Sequence, residues 1–150
     1  MSYFGAGFRI LRDALDKGAH AIPISSQTVA VGDLLQLPVG DANWTVCTSA
    51  SVSYTRKALA VAAATSSDTT VLAIELDGNE DVQVQSAGES AAADNGDRQA
   101  LTDKNTVNNS GTDVTTTTVA FLQRGTVGAA ADNQIWGNVL VGNGVVSTVS

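Results

Sequence analysis

The chain has 150 residues, 43% hydrophobic and 5% aromatic, with a net charge of −7 and one cysteine. That length suits a single domain able to bury about 70% of the surface its unfolded chain exposes, so no disulfide is needed, and the lone Cys47 cannot form an internal one. The acid excess argues against a nucleic-acid partner, and no stretch approaches the roughly 18 apolar residues of a membrane-spanning helix. The opening, MSYFGAGFRILRDALDKG, lacks the basic-then-apolar pattern of a secretory leader, so the chain is expected to be soluble and to keep its N-terminus.

Charge is unevenly spread. Residues 1–67 carry five basic against four acidic side chains, and residues 68–150 carry three against eleven. The C-terminal part is expected to face water, while the N-terminal part is able to approach an acidic partner. Ala, Thr, Ser, Gly, Asn, Val and Asp dominate the composition, and β-branched residues stand among turn formers, which favours a domain of short strands over a helical bundle.

In chain order, the spacing predicts a helix from Phe4 to Lys17. Phe4, Phe8, Leu11 and Leu15 would share one face, with Arg9, Arg12, Asp13, Asp16 and Lys17 on the rest. Ser2 and Gly18 are its caps. An isolated helix of this length is marginal in water, so it must dock on its own domain or on a partner. Residues 19–26, with Pro23, read as an extended linker. Strands follow at Val29–Leu37 and Trp44–Thr48, joined by the turn Gly40-Asp41-Ala42-Asn43 into a hairpin.

The centre of the chain is RKALAVAAATSSDTTVLAIEL, residues 56–76, read as a hairpin whose polar turn is Thr65–Thr70. Its first arm is mostly alanine, which also suits a short helix. Val82 and Val84 then alternate with Gln83 and Gln85 in a strand with one wet face. Residues 86–111 are poor in apolar residues and read as a long polar loop, with one helical turn available at Arg98–Asp103. Strands are expected again at Val114–Leu122 and at Ile135–Val141, and Val145–Ser150 reads as a terminal strand or a frayed tail. The fold class is mainly β, a small β-barrel or β-sandwich with an N-terminal helix or arm and that long loop. The division is 1–26, helix or arm and linker, and 27–150, β domain.

No catalytic constellation is visible. His20 is the only histidine and has no ligand-spaced Cys, Asp or second His, so neither a metal site nor a general base is expected. Asp77-Gly78-Asn79-Glu80-Asp81 is acidic but lacks the spacing of a calcium loop. No phosphate-binding loop or dinucleotide fingerprint occurs, so no cofactor is expected, and an enzyme is the poorer reading.

The opening TVAVGDLLQL, the hairpin after it and the later pair ALAVAAATSSDTTVLAIEL, in an acidic Thr- and Ala-rich chain, resemble the small capsid decoration, or cement, proteins of tailed bacteriophages. The likeness covers residues 27–85. It implies a small β-fold on the exterior of the virion, bound to the major capsid protein at a lattice symmetry position as a homo-oligomer, a trimer being favoured. An arm would reach neighbouring subunits, and Phe4, Phe8, Arg9, Leu11, Arg12 and Leu15 are its candidate contact residues. The alternative is a ligand- or receptor-binding β-module of a fibre or spike, with Trp44, Trp136, Tyr3 and Tyr54 as stacking residues.

Overall fold

The computed structural model describes residues 7–12, 18–110, 113 and 116–142. Twelve strands run through the described residues: β1 (Phe8–Arg12), β2 (His20–Pro23), β3 (Leu34–Leu37), β4 (Thr45–Val46), β5 (Arg56–Ala60), β6 (Thr70–Leu76), β7 (Asp81–Ser86), β8 (Arg98–Gln99), β9 (Leu101–Asp103), β10 (Thr106–Val107), β11 (Phe121–Thr126) and β12 (Gln134–Val139). The only helical turns among these residues are two 3₁₀ segments, Ala92–Asp94 and Ala130–Asp132.

The central hairpin is present: β5 and β6 pair antiparallel, Lys57 opposite Leu76 and Ala60 opposite Ala73. They lie in a five-stranded sheet ordered β2-β6-β5-β3-β4. A parallel bridge between Ile24 and Trp44 joins its two ends, the Trp44 N–H donating to the Pro23 carbonyl at 2.8 Å, and curls the sheet into a half-barrel. Ala58, Ala60 and Ala73 point into this curl beside Ile22, Leu35 and Val71. A tightly curled sheet has little interior volume, so the alanine run serves here as a strand despite its helix propensity.

The second sheet runs β8-β11-β12-β7-β10-β9. Because β8 and β9 follow each other around Ala100, one pairing β11 and the other β10, this sheet nearly closes on itself as a barrel. Its core holds Phe121, Val82, Val84, Leu101, Val107, Ile135 and Val139, together with Leu34, Leu59 and Leu76 of the half-barrel. The two sheets therefore share a wall. β3, β5 and β6 bury side chains on both faces, which explains the near-continuous apolar run of β5. Each large aliphatic or aromatic side chain buried there contributes about 1.5–3 kcal/mol.

Lys57 sits in the same wall and is 0% exposed. Its ammonium donates to the carbonyls of Val52 at 2.6 Å, Leu140 at 2.8 Å and Thr55 at 3.4 Å, so the cation ties β5 to the chain just after β12.

Several expectations need correction. Residues 8–12 of the expected N-terminal helix form β1, which pairs antiparallel with β7, Phe8 opposite Val84 and Ile10 opposite Val82. The ladder supplies backbone partners that a marginal helix lacks, and Gly7, at φ +114°, sits in a conformation that no right-handed helix uses. Residues 4–6 and 13–17 of that helix lie outside the described residues. The long polar loop carries a 3₁₀ turn and three strands, β8 to β10; Arg98–Asp103 is strand where a helical turn was expected. Leu101 and Val107, 2% and 0% exposed, are the two apolar residues this stretch owes the barrel. β7 has no wet face, since Gln83 is buried and donates to Gln134 at 3.1 Å. β11 begins at Phe121 rather than Val114, and the terminal strand or tail expected at Val145–Ser150 lies outside the described residues.

Candidate functional site, an apolar groove beside the first strand

β7 offers its second edge to two strands placed end to end, β1 along residues 81–84 and parallel β10 along residues 85–86. The chain enters β1 through a close crossing of Gly7 and Gly32. The Phe8 N–H donates to the Gly32 carbonyl at 2.8 Å, and the Gly7 N–H to the Asn105 carbonyl at 2.9 Å. A Cβ on Gly32 would stand 3.3 Å from the Gly7 Cα, and its φ of +92° itself favours glycine. Asp33, 1% exposed, clamps the turn: it accepts from the Ala30 N–H at 2.9 Å and pairs with Lys104 at 3.2 Å.

This crossing opens an apolar groove of about 220 Å³ between β1 and the half-barrel, lined chiefly by Ile10, Val31, Leu59, Val61 and Ile74, with Arg9 at its side. Val31 is 64% exposed. Leu72, 43% exposed, extends the apolar surface, its carbonyl accepting from the Val61 N–H at 3.0 Å. The surface arises because β6 is apolar on both faces: Val71 and Ala73 fill the half-barrel, leaving Leu72 and Ile74 on the side toward the groove.

The candidate contact residues are divided by this strand. Phe8 is 4% exposed and packs its ring at 6.2 Å, tilted 59°, against Phe121 in the barrel core. Arg9 is exposed and opposite Gln83 in register. The pairing slips between Ile10 and Arg12, which leaves Leu11 as the extra residue of a bulge, 50% exposed. A strand thus separates Phe8 and Leu11, which a helix would have stacked together. Phe4, Leu15 and the side chain of Arg12 lie outside the described residues.

No protein-family model, curated protein or solved structure matches this chain.

The chemical groups singled out from sequence are not brought together. Cys47 is buried in the barrel core, and burial pushes its thiol up to about 11, so it is no thiolate at neutral pH. His20 is exposed on β2. Among the described residues no group of three His, Cys, Asp or Glu side chains is placed to hold a metal ion. Trp44 is buried in the half-barrel, with the Arg56 guanidinium 5.5 Å from its ring centroid and forked onto Glu75 at 2.7 and 2.8 Å. Trp136 lies on the outer side of the barrel, Tyr54 is half-buried, and Tyr3 lies outside the described residues.

Sequence reasoning missed Val31, Val61 and Ile74. The available signal was that Leu72 and Ile74 interleave with equally apolar Val71 and Ala73, so one of the two faces had to be covered by something beyond its own sheet.

Proposed function

We propose that this protein is a virion structural protein of the capsid decoration, or cement, class, binding the major capsid protein on the outer lattice and stabilising the head. The observation that carries the reading is the apolar strip of Val31, Leu72 and Ile74 along the groove beside β1, on a two-sheet body. Val31 of the strip and neighbouring Arg9 come from the less acidic residues 1–67, whereas the acid-rich stretch that follows β6 suits the solvent side. Repetition over a lattice turns modest contacts into avidity, so no deep pocket is required. A homotrimer at a symmetry position is the favoured assembly.

The test is co-sedimentation with undecorated heads. Val31→Asp and Leu72→Asp, at exposed positions that leave both cores intact, are expected to weaken binding at least tenfold each, about 1.4 kcal/mol. Full binding by both variants would remove the strip from the mechanism. Solution mass gives the independent check on the trimer.

A further inference from the structure

A second concavity, of about 420 Å³, shares no residue with the groove beside β1. Trp136 of β12, Leu122 and Arg124 of β11, and Asn95 and Gly96 ahead of β8 line it. Three features make it more than a dent. First, the indole lies across its cross-strand neighbour: Gly125 is opposite Trp136 in register, and a Cβ there would collide with the indole Nε1 and stand 2.9 Å from Cε2. Only glycine leaves room there for the Nε1 corner of the indole, and Trp136 itself lines the cleft.

Second, β11 carries a bulge. Gln123 opposes Gly137 and Gly125 opposes Trp136, so Arg124 has no partner in the ladder and its side chain is turned to solvent at the cleft. Third, residues 68–150 hold only three basic side chains. Arg98 pairs with Asp113 at 3.0 Å and Lys104 with Asp33 at 3.2 Å, whereas Arg124 makes no ion pair or hydrogen bond among the described residues. The floor is fixed. The buried Gln123 amide donates to the Ala91 carbonyl at 3.0 Å and to Asn95 Oδ1 at 3.1 Å, leaving the Asn95 amide nitrogen to donate outward.

We infer that this cleft binds an acidic sugar, a pyranose carrying a carboxylate. The ring stacks on the indole of Trp136, the guanidinium of Arg124 forks onto the carboxylate, and Asn95 donates to a hydroxyl. A flat aromatic platform with one cation and few apolar walls suits a polar ring ligand better than a lipid or an apolar cofactor, which would need an enclosed apolar pocket.

The experiment titrates the full chain with an alginate trisaccharide and with 3′-sialyllactose, against maltotriose, following tryptophan fluorescence and saturation-transfer NMR. A saturable change with a Kd of about 1 mM or tighter is expected for at least one acidic probe, with maltotriose roughly tenfold weaker. Trp136→Ala should abolish it. Arg124→Gln, a solvent-side change that leaves the fold alone, should erase the preference for the acidic probe. Absence of saturable binding by either acidic probe overturns the assignment, as does binding that survives both substitutions.

Discussion

At the scale of single residues, Lys57 is the group on which pH acts most directly. Burial pushes its ammonium down to about 8, and it remains charged at neutral pH inside a cage of three carbonyls. Between pH 8 and the free-lysine value of 10.5 the unfolded chain binds the extra proton, so stability rises with pH across that window. Cys47 acts in the opposite sense. Its thiol holds its proton to about 11 when folded but ionises near 9.0 when unfolded, so stability falls between those values. The unfolding free energy from urea titrations should therefore rise from pH 8 to 9, by about 1 kcal/mol, with the midpoint rising alongside, and then level off as the two effects cancel. In Lys57→Met the rise should vanish. At neutral pH that variant should lose about 3 kcal/mol, because the carbonyls of Val52 and Leu140 are left without their donor. A midpoint that does not move between pH 8 and 9 in the parent would refute the account.

At the scale of elements, β1 shows what the sequence could and could not disclose. Phe4, Phe8, Leu11 and Leu15 fit a helical face, but Phe8 and Ile10 fit a strand equally well, and the choice was made by an edge of β7 some seventy residues away. No local pattern reports such an edge. The β5–β6 hairpin and the β3–β4 pair were legible because each is alternation closed by a nearby turn. β8 to β10 were not, since two- and three-residue strands contribute at most one apolar side chain each, Leu101 in β9, Val107 in β10 and none in β8, and leave no period to read. Gln83, Gln99, Gln123 and Gln134 look wet by type, yet they are buried and bond in pairs across strands, Gln83 donating to Gln134 and Gln99 to Gln123. Of the candidate contact residues, Leu11 was chosen for a helical face and is exposed for another reason, the bulge. If β1 is an integral strand, Phe8→Ala should cost about 3–5 kcal/mol in denaturant unfolding. A loss below about 1 kcal/mol would mean that β1 is a peripheral arm.

At the scale of the whole molecule, the shared wall of β3, β5 and β6 makes the half-barrel and the barrel one cooperative unit, because neither core keeps its lining without the other. Trp44 reports on the first body and Trp136 on the second. Single-tryptophan variants, Trp136→Phe and Trp44→Phe, should unfold at coincident denaturant midpoints by fluorescence and by circular dichroism once each is compared with itself. Two separate transitions within one variant would show that the wall does not couple them.

The divided edge of β7 also bears on how attachment can be dissected. Removing the N-terminal segment would strip hydrogen-bonding partners from residues 81–84 and leave an open slot the width of one strand. Such a slot accepts a donor strand from a second molecule, so truncated protein would swap or chain into multimers instead of presenting an otherwise unchanged body. Loss of head binding after truncation would then mix a missing contact with sequestration in those multimers, and single substitutions on the solvent side of the bulge keep the two apart.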